Sequence, residues 1–427
     1  MVSTGVAKNM TVAPETAHSG TSPSSGERRP PRILHVITLF SIGGATENTL
    51  LSVEGLNDLG YDTRILTGPN IETEGSMFER AAKHGVHVDV VAELKRSIHP
   101  IFDALAFVKL FTYIRRGRFD IVHTHSSKAG ILGRLAARTA GVPIVVHTVH
   151  GLPFHGYQTA FMRRAFIVAE RFGARLSHRL VAVSKTIVQK ALAEGVGSTE
   201  QFVVIRSGIE LGHYAPEHDH RAETLRRQLG VEQGDLVVGT IARFSILKGH
   251  QYIIDAIPRV IEEVPRAKFL FVGSGELEDE FKKRVADAGI ADHVIFAGLV
   301  EQASIPLYIA AMDVVAHTSL LEGLARVLPQ ALAARKPVVS FDIDGAHEIV
   351  INEKTGYLVP PGDRDRLVTS IVSLLRDEAK RRRFGEAGAE IVAREWSVEK
   401  MVSELDAEYR KLLAQHQSRG NGHNATR

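Results

Sequence analysis

The sequence contains no cysteine. That single absence removes a disulfide scaffold, a thiolate zinc site, an iron–sulfur cluster and a cysteine nucleophile. No run of about eighteen or more apolar residues occurs, so no helix is expected to span a bilayer. The first thirty residues lack the basic-then-apolar order of a signal peptide, and the expectation is a cytoplasmic protein. The dipeptide Gly-Lys is missing, so there is no P-loop, and Gly273-Ser274-Gly275 has Glu278 where a dinucleotide fingerprint needs a third glycine. A strong charge of one sign is missing too. The 52 Lys and Arg nearly balance 49 Asp and Glu, and a net +3 does not point to nucleic acid.

What is present is an ordinary globular composition, 44% apolar and 24% charged, over 427 residues. That length exceeds what one core usually reaches, so two domains are expected. The basic character is local. Between Gly156 and Lys190 seven basic residues face one acid, a surplus of six, so the rest of the +3 chain sums to −3.

Residues 1–31, rich in Ser, Thr, Pro and Gly, read as a disordered tail, and so do residues 415–427. Between them short β-branched runs alternate with helical stretches that stop at glycine, as at Gly60, Gly85 and Gly141. Such alternation specifies parallel sheets with helices on both faces. It runs from Ile33 to Ile205 and restarts at Leu236. The expected architecture is therefore α/β, with two doubly wound Rossmann-like domains (32–205 and 206–395) facing across a cleft. A helix at 396–414 packs on one domain or crosses back to the first. In such sheets ligands sit beyond the carboxyl ends of the strands.

Several motifs fall at those ends. Gly43-Gly44 opens a helix, where free amides meet an anion or simply make a tight turn. Arg243 and Lys248 share the loop after the first strand of the second domain. Together they either hold a diphosphate and stabilise its departure, or are two solvated surface cations. Glu322, with Gly323, Leu324, Ala325 and Arg326 behind it, ends another strand and either accepts sugar hydroxyls or caps the next helix. Gln330 lies about two turns on, on roughly the same face, suited to ribose hydroxyls. His123, His125, His147, His150 and His155 gather where strands of the first domain end. Each alone is more often structural than functional, and together they suit hydrogen bonding to a hydroxyl near neutral pH, with His150 best placed. No carboxylate joins them at ligand spacing, and no metal is expected. Asp342-Ile343-Asp344 reads as a loop facing the same ligand as Arg243, its metal-binding form discounted. Residues 161–179 form an apolar stripe among five arginines, either the solvated face of a core helix or a helix lying on anionic lipid.

Taken together, Arg243…Lys248-Gly249, Gly273-Ser274-Gly275-Glu276-Leu277, Glu322-Gly323, Pro337…Glu348 and Gly356-Tyr357-Leu358-Val359-Pro360 resemble the GT-B glycosyltransferases of family 4. Arg206-Ser207-Gly208-Ile209 resembles that family's hinge, and the likeness spans residues 32 to about 415. The stretches His123–Gly130 and His147–Gly151 are similar to those of bacterial enzymes that build capsule, exopolysaccharide or lipopolysaccharide.

The resemblance implies a retaining, metal-independent transfer from a uridine or guanosine diphosphate sugar to an acceptor hydroxyl, without a cofactor. It implies that the first domain binds acceptor, through His125, Ser126, Lys128 and His150. The second would bind donor, through Arg243, Lys248, Gly273, Gly275, Glu276, Glu322, Gly323, Leu324, Arg326 and Gln330, with Gly43 and Gly44 closing on it. Arg243, Lys248, Glu322 and His150 would carry the chemistry. The acceptor implied is polyprenyl-linked, met at the inner membrane face through the basic helix. Three positions depart from the pattern. Gln330 stands where the family has a second acid, and Ala325 and Arg326 replace the usual glycine and aliphatic residue, which bears on the choice of nucleotide. The rival readings are a sugar-nucleotide epimerase and a non-catalytic sugar-nucleotide-binding subunit.

Overall fold

The structure, a computed structural model, describes residues 29–69, 77–214 and 219–424. The first sheet is wholly parallel: β1 (Arg32–Ile37), β2 (Asp62–Thr67), β3 (His87–Val90), β4 (Ile121–His125), β5 (Ile144–Val149), β6 (Arg179–Ala182) and β7 (Phe202–Val204). Its order is β3-β2-β1-β4-β5-β6-β7. The second holds β8 (Leu236–Ile241), β9 (Ala267–Val272), β10 (Val294–Gly298), β11 (Val314–His317), β12 (Val338–Phe341) and β13 (Gly356–Val359), in the order β10-β9-β8-β11-β12-β13. The central strands are buried from end to end, which is why they read as unbroken apolar runs rather than alternating ones. The strand order reverses beside β1 and beside β8. Gly43-Gly44 follows β1, and Arg243 with Lys248 follows β8, so both motifs stand at a switch point.

Helices of the first lobe are α1 (Gly44–Asp58), α2 (Phe78–Lys83), α3 (Pro100–Gly117), α4 (Ser127–Thr139), α5 (Ala160–Arg175) and α6 (Lys185–Ala193). The second lobe carries α7 (Asp219–Gln228), α8 (His250–Glu263), α9 (Glu278–Asp287), α10 (Ile305–Ala310), α11 (Val327–Ala333), α12 (Arg364–Arg376) and α13 (Glu378–Glu395), and α14 (Val398–Asn424) ends the described chain.

Three helices depart from the sequence reading. The strand–helix alternation does not include α3, an 18-residue helix with Pro100 in its first turn and His99 accepting from Phe102 N. Its pattern is blurred because Ile101, Leu105 and Val108 face outward while Ala106, Leu110 and Ile114 are buried. The basic helix expected over 161–179 ends at Arg175. Arg179 is drawn into the sheet opposite Val146 and pairs with Glu408 at 2.5 Å. Where a tail is expected from Gln415, α14 continues to Asn424, although Gly420, Asn421 and Gly422 are poor helix formers.

The last helix crosses back to the first lobe. Met401, Val402, Leu405, Tyr409 and Leu412 join one core with Ile33, Leu51, Leu56 and Ile121, each fully buried side chain contributing about 1.5–3 kcal/mol. A Cβ on Gly55 of α1 would lie 2.5 Å from Val402, so glycine is what lets the two helices meet. Tyr61 donates to Asp406 at 2.6 Å and locks the register.

Polar contacts join the lobes across the cleft. Glu348 of the second lobe accepts from the amides of Lys185 (3.0 Å) and Thr186 (2.9 Å), capping α6 of the first. Arg326 reaches Glu47 on α1 at 2.8 Å and donates to the Gly208 carbonyl at 3.1 Å.

Candidate active site

Two cavities open from the cleft, and Glu322 lines both. The smaller, about 380 Å³, gathers Gly43, Gly44, Arg243, Lys248, Gly273, Glu322, Leu324, Arg326 and Gln330. These residues come from both lobes, from the loops after β1, β8, β9 and β11 and from helix α11. The larger, about 900 Å³, lies between the 151–163 segment, α6 and the loops after β11 and β12. Gly323 lines it, as do Asp342 and Asp344, so the Asp-Ile-Asp loop faces this second cavity rather than the one holding Arg243. The reason is Asp344. One of its oxygens accepts from the Glu322 amide at 2.6 Å and the other from Lys190 at 2.5 Å, which turns the loop toward the first lobe.

In the small cavity the Lys248 ammonium sits 2.6 Å from Glu322, and His317 Nε2 is 3.3 Å from the same oxygen. Burial alone would raise the Glu322 pKa. The hydrogen bond from His317 and the charge of Lys248 more than offset this and hold it at about 2. His317, five residues before Glu322 at the end of β11, is a partner that the sequence reading passed over. Arg243 is half exposed and 3.6 Å from Glu276. Glu276 and Gly275 stand just outside the cavity. Gly273 has φ 140°, and a side chain there would strike the Ala242 carbonyl, so the glycine loop lies flat against the end of β8. A Cβ on Gly44 would come 2.9 Å from Arg326 Cδ, which leaves room for this arginine to cross the cleft. Gln330 lines this cavity and also a neighbouring one, where the half-buried Tyr214 stands beside it.

On the first lobe, His150 borders a 230 Å³ pocket with Ser126, His147 and Gly151. Its Nε2 is 3.0 Å from His125 Nδ1, and His125 Nε2 is 3.0 Å from His35 Nδ1. His125 is therefore buried behind His150. Burial, with the nearby Arg326 charge, depresses the His150 pKa to about 3, and burial alone takes His35 to about 3. His123, His125 and His147 are likewise lowered by burial. His150 is thus a neutral hydrogen-bonding group at pH 7. His35, a member of the row that the sequence reading missed, stands on β1 beside His123.

His35, His123 and His125 lie close enough to hold a metal together. Five of their six ring nitrogens are already committed, to one another, to His150, to Thr148 at 2.7 Å and to Tyr409 at 2.5 Å; only His35 Nε2 has no partner. Ser126 bonds Thr38 and the His125 carbonyl. Lys128 bonds the Ser97 carbonyl and pairs with Asp103 on α3, and it does not line the pocket at His150. Helical placement directs a side chain back over the preceding turn, here toward α3.

The backbones of the two lobes meet at His150-Gly151 and Gly323. A Cβ on Gly323 would overlap the His150 carbonyl, so only glycine lets Glu322 reach this depth.

Two family profiles match this chain: "Glycosyl transferase 4-like domain" over residues 43–208, and "Glycosyl transferases group 1" over 221–391. The chain is a glycosyltransferase of the GT-B fold. This transferase is 28% identical over 350 residues, 81% of its length and 88% of the relative's, to the Escherichia coli UDP-Gal:alpha-D-GlcNAc-diphosphoundecaprenol alpha-1,3-galactosyltransferase. It is 23% identical to the Staphylococcus aureus capsular polysaccharide biosynthesis glycosyltransferase CapM, over 77% of this chain and 86% of that one. Among solved structures, Anabaena Alr3699/HepE in complex with UDP-glucose superposes with a TM-score of 0.75 at 25% identity, covering 89% of this chain and 99% of that one. The glycosyltransferase takes its sugar from a nucleotide donor. Among its described residues no helix is long and apolar enough to cross a membrane.

Proposed function

We propose that this glycosyltransferase is a retaining, metal-independent enzyme. It moves a sugar from a uridine or guanosine diphosphate donor to a lipid-linked glycan at the inner membrane face, in surface-polysaccharide synthesis. The observation that carries the reading is Glu322 on the wall shared by two cavities, with Lys248 beside it. The donor occupies the smaller cavity with its diphosphate against Arg243 and Lys248, and the acceptor hydroxyl arrives from the larger one. The acceptor oxygen bonds to the anomeric carbon while the bond to the diphosphate breaks, and the acceptor proton ends on a departing phosphate oxygen. The depressed pKa of His150 supports that route, since such a histidine is a poor base and serves to orient hydroxyls.

The cations take up the charge that grows on the leaving diphosphate. Metal independence is supported by the carboxylates available: Asp344 is tied to the Glu322 amide and Lys190, and Asp342 sits beside His347. The Escherichia coli relative names a diphosphoundecaprenol-linked acceptor, which supports a lipid-linked one here.

Membrane contact is supported by α5. Phe161 (81% exposed), Ala165, Val168 (57%) and Phe172 (44%) form one outward stripe at helical spacing, flanked by exposed Arg164, Arg171 and Arg175. The helix buries its opposite face through Ile167, Glu170, Gly173 and Ala174. The apolar stripe is therefore not core.

The test is a thermal-shift screen of uridine and guanosine diphosphate sugars with and without chelator. NMR of the product then gives the anomeric configuration. Stabilisation unaffected by chelator, with configuration kept, is the expected result. Inversion, or donor binding that chelator abolishes, refutes the corresponding part.

A further inference from the structure

The larger cavity contains a feature that sugar recognition alone does not require. Arg163, from the first turn of α5, and Lys190, from α6, both line it. Each is held by an acid: Arg163 pairs with Glu194, and Lys190 lies 2.5 Å from Asp344. Both cations keep about half their surface open to solvent, 41% for Arg163 and 53% for Lys190. Asp344 uses its second oxygen on the Glu322 amide. Lys190 therefore stands one carboxylate away from the backbone of the residue shared by the two cavities. On the outer side, α5 begins its exposed stripe at Phe161, two residues before Arg163, and Tyr157 is 62% exposed nearby.

These placements order three chemistries along one path: sugar-binding surface at Glu322 and Gly323, two cations in the middle, exposed apolar side chains outside. A ligand matching that order has a sugar, then an anion, then a lipid. We infer that Arg163 and Lys190 form the binding site for the diphosphate of a glycosyl-diphosphate lipid, which displaces Glu194 and Asp344 as it enters. The inference rests on the proposed function and specifies what its acceptor carries. Arg supplies a planar fork and Lys a point charge, the pairing suited to diphosphate oxygens. Ligand charge then exchanges for carboxylate charge, so neither cation is left unpaired when the site empties.

The test uses the full-length protein and two soluble probes, farnesyl diphosphate and farnesol, with affinities measured by calorimetry. The native protein is expected to bind the diphosphate at least tenfold more tightly than the alcohol, and excess UDP does not displace it. In R163Q/K190Q that preference falls to less than threefold while UDP affinity stays within twofold of native. Glu194→Gln, which removes the competing acid from Arg163, tightens farnesyl diphosphate binding severalfold. The inference is overturned by equal binding of the two probes to native protein, by an unchanged preference in R163Q/K190Q, by competitive displacement with UDP, or by weaker binding in E194Q. If neither UDP nor GDP binds native protein, it is the reading of the small cavity that fails, and the two failures are thereby distinguished.

Discussion

Replacing Lys248 with methionine removes the cation but keeps most of the stem. Glu322 then stays buried, its side chain 16% exposed, with only His317 left to satisfy it. A carboxylate held at a pKa of about 2 rather than 4.5 carries a difference of roughly 3 kcal/mol at pH 7. Lys248 accounts for part of this and is itself 29% exposed, which screens the pair. The expected loss is about 2 kcal/mol, or roughly 2 °C in melting temperature for a chain of this length. The sign of the pH dependence follows. A depressed carboxylate pKa stabilises the fold above the unfolded value of 4.5 and loses that effect as pH falls toward 2. The gap between native and Lys248→Met therefore narrows below pH 4.5. In K248M/E322Q no buried charge is left unpaired, and stability should return to within about 1 kcal/mol of native. Transfer should not return: kcat/KM is expected to drop about 100-fold or more in either variant. Urea unfolding across pH with a donor-coupled assay measures all four quantities. Native stability in Lys248→Met at pH 7, or no recovery in the double variant, refutes the account of this pair.

Gly323→Ala places a methyl against the His150 carbonyl and should hold the lobes apart. Activity falls at least 100-fold while the melting temperature changes by only a few degrees, and small-angle scattering shows a larger radius of gyration. Histidines 35, 123, 125, 147 and 150 stay neutral in the fold at pH values where the unfolded chain takes up protons. Stability is thus full above about pH 6.5 and falls as pH drops below it, by up to about 1.4 kcal/mol per pH unit for each histidine; denaturant titrations at pH 7.5 and 5.5 give the slope, which His35→Asn should lessen. Arg326→Leu, which restores an aliphatic residue, leaves Glu47 and the Gly208 carbonyl without a partner and should cost about 2 kcal/mol by the same measurement, partly recovered in E47Q/R326L.

Much of this was decided by local sequence. Strands such as Ile121–His125 and Val314–His317 are short, β-branched and buried on both faces, so burial and propensity agree. Gly43-Gly44, Arg243, Lys248 and Glu322 fall just past strand ends, where the fold class alone brings ligand-binding loops together. Local pattern could not supply the partners across the cleft. Nothing near Asp344 in the chain indicates that it binds Lys190, 154 residues away, and so turns toward the larger cavity. Lys128 sits three residues past a histidine-rich strand end, yet the direction of its helix carries it to Asp103. The apolar residues of α5 have the same spacing as a core stripe, and only the packing of Ile167 and Gly173 against the lobe shows which side faces out. Sequence sets which groups each loop carries, because strand and helix periods act over a few residues. Which groups share a charge or a cavity depends on how two sheets dock, and that is fixed by contacts between residues distant in the chain.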